Sequence, residues 1–203
     1  MGMITSRYVQ HYPHKVLRFC PTCGRAGFSP RNTDTFLADE DPSNEMFCAS
    51  CGFVLYINSA ASTAAIIHKT PDMLFLGRRK KEPKANTLDL LGGFVSPRET
   101  AEDAVRREVM EEFNLRLSSV RPYCRTYWNE YDTGKLVTFP LDMVFICEVQ
   151  DWGQLCVNEP DEVEPHFVRV DQLELDQIGL DSIRRILTDY KKEFLESRGQ
   201  QPG

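Results

Sequence analysis

Three glutamates, Glu108, Glu111 and Glu112, stand at i, i+3 and i+4, a spacing that puts three carboxylates on one side of a helix. Like charges crowded in this way repel, and a hard divalent cation such as Mg or Mn relieves the repulsion by taking the oxygens as ligands. By spacing alone the same residues also fit a solvated acidic helix face. A second group is formed by Cys20-Pro-Thr-Cys23 and Cys48-Ala-Ser-Cys51, two C-x2-C pairs separated by twenty-four residues, the spacing of a four-thiolate zinc site. Gly24 and Gly52 follow the second cysteine of each pair, where a knuckle turn needs a residue tolerant of positive φ. Four thiolates close the coordination sphere, so zinc held there is structural rather than catalytic. A pair of disulfides or unrelated buried thiols is the other reading, disfavoured in a chain without a secretion signal. Cys124, Cys147 and Cys156 read as buried small hydrophobes.

These groups need elements to position them. Residues 1–16 read as an N-terminal arm with solvated His11 and His14, and residues 17–57 as the zinc ribbon, with a polar loop over Asn32 to Asn44. Phe53 to Ile57 is its exit strand, and Asn58 to Ala61 a hinge. The second domain is expected over residues 61–192. Its strands are predicted at Thr63 to Lys69, Met73 to Arg78, Val120 to Tyr131, Lys135 to Val149 and His166 to Arg169. Ala101, Val105, Val109 and Phe113 recur every four residues and predict the apolar face of a helix over Glu99 to Phe113. A last helix is expected over Leu180 to Leu195, followed by a frayed tail at 196–203. The pattern is α/β with mixed strands.

Composition narrows the function classes. With 203 residues, 41% hydrophobic and 27% charged, the chain holds one domain plus a small module and is not a disordered polymer. The apolar stretches fall far short of the ~20 residues that cross a bilayer, and Met1 to Gln10 lacks the apolar core of a signal peptide. A cytoplasmic location without membrane contact is expected. The net charge of −6 argues against nucleic acid as a partner.

Read in full, Gly93-Phe-Val-Ser-Pro-Arg-Glu99-Thr-Ala-Glu-Asp-Ala-Val-Arg-Arg107-Glu108-Val-Met-Glu111-Glu112-Phe-Asn114-Leu115 resembles the Nudix box, G-x5-E-x7-R-E-U-x-E-E-x-G-U, with U aliphatic. Every fixed position matches except Asn114, where the pattern has Gly. That position calls for a left-handed cap, and Asn best replaces Gly there. Thr100 with Asp103, or Ser96 with Glu99 and Pro97, supplies the N-cap. The resemblance implies a Nudix α/β/α sandwich with a mixed sheet, here preceded by the four-cysteine ribbon.

It further implies hydrolysis, by water, of a nucleoside diphosphate linked to another moiety. Glu108, Glu111 and Glu112 would hold Mg or Mn, with the Gly92 carbonyl as a backbone ligand, and Arg107 would pair with Glu99 to fix the loop against the helix. Members of the family place the general base within the box or late in the domain. Glu162 is the first choice in the late segment Asn158 to His166, where Glu159, Glu162 and Glu164 also fit a solvated acidic turn. Arg78 and Arg79 head the one dense cationic run, Arg78 to Lys84, and can contact phosphates, or the run is a solvated loop. Tyr127, Trp128 and Tyr131 can stack a base, although alternate strand positions face the core.

A four-cysteine ribbon ahead of a Nudix domain resembles the architecture of bacterial NADH pyrophosphatases. Their downstream run S-Q-P-W-P-F-P-x-S has no counterpart between Arg116 and Pro140. Dinucleotides, ADP-ribose, FAD and nucleotide sugars all remain as substrates, and the family implies a homodimer. The rival function is a non-catalytic nucleotide-sensing regulator whose ribbon binds nucleic acid or protein. The full carboxylate set favours the enzyme.

Overall fold

Strand β4 explains why the second domain forms around one sheet: six consecutive residues, Ser62 to Ile67, are buried, as a strand covered on both faces requires. The computed structural model describes residues 9–30, 45–82 and 84–199. In chain order the elements are α1 (Pro13–Val16), β1 (Phe28–Pro30), β2 (Glu45–Cys48), β3 (Val54–Tyr56), β4 (Ala60–Thr70), β5 (Met73–Arg79), β6 (Leu88–Asp89) and α2 (Ala101–Phe113). There follow β7 (Leu117–Trp128), β8 (Tyr131–Asp132), β9 (Val137–Thr138), β10 (Pro140–Val149), β11 (Val163–Arg169) and α3 (Asp181–Gly199). The chain divides into two compact units, residues 1–59 with 130–139, and residues 60–129 with 140–203.

In the larger unit the sheet order is β11-β5-β4-β10-β7, with β6 paired to β5. β10 runs parallel to β4, and the other pairs are antiparallel. Alternation along the strands makes two cores. Ala65, Ile67, Phe75 and Phe145 pack against Val105, Val109 and Phe113 of α2. Ala64, Ile66, Leu74, Leu76 and Val144 pack on the opposite face against Ile183, Ile186 and Leu187 of α3. The fold is therefore an α/β/α sandwich with a mixed sheet, as the sequence implies. α3 continues to Gly199, so residues 196–199 are helical rather than frayed. The expected strand over Lys135 to Val149 is interrupted, because Val137 and Thr138 pair with β8 while β10 begins at Pro140.

In the smaller unit, β1, β2 and β3 form an antiparallel sheet around Cys20, Phe28, Met46 and Cys48. Residues 130–139, expected in the second domain, group with this unit. The arm is not a free, solvated segment: Tyr12 is 1% exposed and packs edge-on against Phe139. His11 Nδ1 lies 2.9 Å from both carboxylate oxygens of Asp132, and His14 is half-buried at the edge of the Tyr12 ring. The expected loop over Asn32 to Asn44, residues 1–8 of the arm and residues 200–203 of the tail lie outside the described residues, as does the side chain of Cys124. Cys147 is buried, whereas Cys156 is exposed and is not a core residue. Among the described residues no helix is long and apolar enough to cross a membrane.

Candidate active site

Helix α2 starts where its first turn is capped. Thr100 is the N-cap, its hydroxyl accepting from the Asp103 amide at 3.1 Å and donating to the Asp103 carboxylate at 2.7 Å. Ser96 takes no part in that cap; its amide instead donates to Glu99 Oε2 at 3.0 Å. The helix ends at Asn114, which adopts φ 55° and ψ 29°, the left-handed conformation the Gly-to-Asn exchange requires. The loop before α2 lies along the first half of β4, with the Thr63 amide donating to the Gly93 carbonyl at 2.8 Å and that of Val95 to Ala61. Two glycines make this approach possible. A Cβ on Gly92 (φ +145°) would lie 2.1 Å from the Thr63 carbonyl oxygen, and one on Gly93 would lie 2.5 Å from the Glu108 carboxylate.

Arg107 is the centre of the outer carboxylates. Its Nε and Nη2 donate to the two oxygens of Glu99 at 2.9 and 3.0 Å, and its Nη1 to Glu108 and Glu111, each at 2.8 Å. A further bond reaches the Phe94 carbonyl at 3.0 Å, so the side chain ties the loop to the helix. The guanidinium holds Glu99 below the usual carboxylate range, helped by the Ser96 amide. Glu108 is pushed up by burial, which outweighs Arg107. Glu111 is 51% exposed.

Glu112 points inward. Its Oε2 is buried and has no hydrogen-bond partner among the described residues. Burial raises its pKa well above the ordinary value, reinforced by the charges of Asp89, Glu108 and Glu159 and opposed by Arg79. Asp89 was not anticipated. It stands in β6, bonded to Arg79 Nη1 at 2.8 Å, and burial still pushes it up to about 6 against that ion pair. The signal was present in the sequence as one carboxylate inside the apolar run Leu88-Asp-Leu-Leu91. A buried carboxylate oxygen with no donor, among carboxylates from three segments, suits a divalent cation with oxygen ligands.

In the smaller unit the Sγ atoms of Cys20, Cys23, Cys48 and Cys51 all lie within 4.8 Å of one another, a cluster able to form a zinc site. No carboxylate group among the described residues converges so closely, since Arg107 stands among Glu99, Glu108 and Glu111. Burial opposes ionisation of Cys20, but the amides of Cys23 and Thr22 and the neighbouring thiols pull it down to about 6. Cys51 accepts from the Phe53 amide, yet burial and its thiol neighbours push it up to about 12. One thiolate opposes the next until a cation joins them.

Residues 59–190 match the sequence model of the NUDIX domain. The chain belongs to the Nudix family. Among curated relatives, an NAD-capped RNA hydrolase NudC of Pseudomonas syringae pv. syringae is 30% identical over 131 residues, 59% of this chain and 43% of that protein. The NAD-capped RNA hydrolase NudC of Yersinia pestis is 29% identical over 160 residues, 78% of this chain and 53% of its own. The chain thus spans about half the length of the curated relatives it matches. A NUDIX hydrolase from Nitrosomonas europaea superposes with a TM-score of 0.63 at 20% identity, covering 92% of this chain and 95% of that one. A MutT NUDIX hydrolase from Burkholderia pseudomallei gives 0.54 at 24%, covering 64% and 97%. Both show the same fold.

The remaining expected site residues distribute unevenly around the Nudix helix. Glu162 is exposed, with its carboxylate on Lys81 Nζ at 2.5 Å, whereas the late-segment charge acting on Glu112 is that of Glu159. The late segment is docked on the helix end: the Asn158 amide donates to the Glu112 carbonyl at 3.0 Å and its Nδ2 to the Met110 carbonyl at 3.1 Å. Arg78 donates to the Asn86 carbonyl at 3.1 Å and pairs with Glu164 at 3.6 Å. Lys80 also pairs with Glu164, so the cationic run is not a freely solvated loop. Tyr127 is corrected from a base-stacking residue to a core one. It is 9% exposed on the α3 face, and its hydroxyl donates to Asp189 at 2.7 Å. Trp128 is half exposed, with the Arg185 guanidinium 5.3 Å from its ring centre. Tyr131 belongs to the β8–β9 pair of the smaller unit.

Proposed function

We propose that the protein is a metal-dependent Nudix hydrolase that cleaves the pyrophosphate bond of a nucleoside diphosphate linked to another moiety, such as a dinucleotide, ADP-ribose or a nucleotide sugar. The observation that carries this reading is the buried Oε2 of Glu112, which has no hydrogen-bond partner among the described residues and feels the charges of Asp89, Glu108 and Glu159. Glu108, Glu111, Glu112 and the Gly92 carbonyl hold Mg or Mn. The cation neutralises phosphate oxygens and lowers the pKa of the attacking water. Arg107 acts by positioning, since its fork to Glu99 fixes the loop that carries Gly92 and Gly93. A late-segment carboxylate, Glu162 or Glu159, takes the proton from water. Arg78 and Arg79 face phosphate oxygens, and Trp128 under Arg185 offers a flat ring to a base. Zinc on the four cysteines holds the smaller unit. The family resemblance carries with it a cytoplasmic homodimer.

The test is hydrolysis of NADH, NAD, ADP-ribose, FAD, diadenosine polyphosphates, nucleotide sugars, nucleoside triphosphates and NAD-capped RNA, with Mg or Mn. The capped RNA is included because the curated relatives bear that name. Turnover of one compound, lost in Glu112→Gln, supports the reading and identifies the substrate class. Parallel Glu159→Gln and Glu162→Gln variants assign the base. Tight binding of a nucleotide without turnover across the panel overturns it in favour of a sensor.

A further inference from the structure

The inner side of the carboxylate site is built from the sheet. Asp89 pairs with Gly77 across β5 and β6. A Cβ on Gly77 would lie 2.7 Å from Val163 Cγ2 and 3.9 Å from the Phe113 ring, so the face of this pair that Gly77 and Asp89 share is the one on which Phe113, in the last turn of α2, packs. Glu112 is the residue before Phe113, and Asp89 heads the charges acting on it. Asp89 is only 13% exposed, an unusual place for a carboxylate, and it is held there by Arg79 and the Leu90 amide.

The charges around it do not balance. Asp89, Glu99, Glu108, Glu111, Glu112 and Glu159 are six carboxylates, and the guanidiniums acting among them are those of Arg79 and Arg107. Arg107 serves the outer three, Glu99, Glu108 and Glu111. That leaves three, Asp89, Glu112 and Glu159, of which Arg79 pairs with Asp89 and acts on Glu112. The buried Asp142, on the other face of the sheet, accepts from the Ser62 hydroxyl at 2.6 Å.

We propose that Asp89 is the inner wall of the cation site, a carboxylate from the sheet that joins the helix glutamates in holding a divalent metal, with Arg79 as its resident counter-charge. This rests on the helix carboxylates binding metal, as proposed above. Arg79 neutralises part of the inner charge, and a divalent cation balances the remainder. The Nudix helix then supplies one side of the site and the strand before the Gly-Gly turn the other.

The test is Mn2+ binding by the full chain without substrate, followed by the electron paramagnetic resonance signal of free Mn2+. Asp89→Asn keeps the shape and removes the charge, and weakens Mn2+ binding about 10- to 100-fold, the range seen when groups around a metal are changed. Arg79→Met binds Mn2+ at least as tightly as the parent. Asp89→Ser gives the same reading in a smaller side chain should Asp89→Asn not fold. Unchanged Mn2+ affinity in Asp89→Asn, with binding lost in Glu112→Gln, overturns the role of Asp89 alone. Equal losses in Asp89→Asn and Arg79→Met also overturn it, because Asp89 would then act only by holding the arginine. Unchanged binding in Glu112→Gln overturns the underlying metal reading instead.

Discussion

Arg107 grips both carboxylate oxygens of Glu99 from eight residues further along the chain, with Nε and Nη2 at 2.9 and 3.0 Å, and spends its third nitrogen on Glu108 and Glu111. Only a planar fork can do this. Arg107→Lys keeps the charge and loses the two-point grip, so the loop carrying Gly92 and Gly93 is no longer fixed to the helix. The expected result is a fall in kcat of about 10- to 100-fold at saturating metal, with weaker Mn2+ binding. Steady-state kinetics and a Mn2+ titration of Arg107→Lys check it, and parent-like values in both would show the fork to be dispensable.

Gly92 and Gly93 separate stability from chemistry. A Cβ on Gly92 meets backbone at 2.1 Å, in a conformation that side chains avoid. Gly92→Ala should cost at least about 3 kcal/mol and lower Tm by roughly 6–12 °C. A Cβ on Gly93 instead meets the Glu108 carboxylate, the movable end of a side chain. Gly93→Ala should leave Tm nearly unchanged and weaken Mn2+ binding. Thermal melts beside a metal titration distinguish the two, and equal melting losses would show that the Glu108 side chain cannot yield.

The three-layer fold and the Nudix helix were legible because both are periodic. Ala101, Val105, Val109 and Phe113 mark one face at helical spacing, and Asn114 marks the end by its tolerance of positive φ. Asp89 showed in the sequence only as a lone carboxylate in an apolar run; its place beside the helix was not legible, because a two-residue strand has no period and that place is set by its pairing with Gly77 on the neighbouring strand. Tyr127 and Trp128 show the limit at a single position. Alternation says that one faces the core, but which one depends on the register with β10, where Tyr127 stands opposite Asp142 and Trp128 opposite Leu141. The β8–β9 pair failed for a related reason: its partners His11 and Tyr12 come from more than a hundred residues away.

Tyr127 and Trp128 therefore predict opposite phenotypes. Tyr127→Phe removes one hydroxyl bond to Asp189 and should cost about 1 kcal/mol of stability with KM unchanged. Trp128→Ala should raise KM with little change in kcat, since a stacked base is worth about 1–3 kcal/mol of binding. Urea denaturation and steady-state kinetics on the substrate found in the panel give both numbers. A raised KM in Tyr127→Leu, which removes the ring, with KM unchanged in Trp128→Ala, would return the stacking role to Tyr127.

Asn114 tests the single departure from the Nudix box. Alanine in its left-handed conformation costs about 1–2 kcal/mol, and the Asn114 Nδ2 bond to the Gln154 carbonyl at 3.1 Å is lost as well. Glycine loses the bond but relieves the backbone. Urea denaturation should therefore rank stability as parent, then Asn114→Gly, then Asn114→Ala. A glycine variant more stable than the parent would show that the side-chain bond contributes little.

Removing zinc should separate the two units by their resistance to protease. The strands β1, β2 and β3 are three or four residues long, and their core is Cys20, Phe28, Met46 and Cys48 with a few half-buried neighbours. So small a core is expected to depend on the proposed zinc. Cys20→Ser should lower bound zinc from one per chain to none, read by elemental analysis. Limited proteolysis should then cut within residues 45–59 and also within 130–139, which group with them, while 60–129 and 140–199 survive as a core held by α2 and α3. Cuts confined to the N-terminal segment would show that the β8–β9 pair stands without the zinc unit, and unchanged zinc content would defeat the four-thiolate site itself.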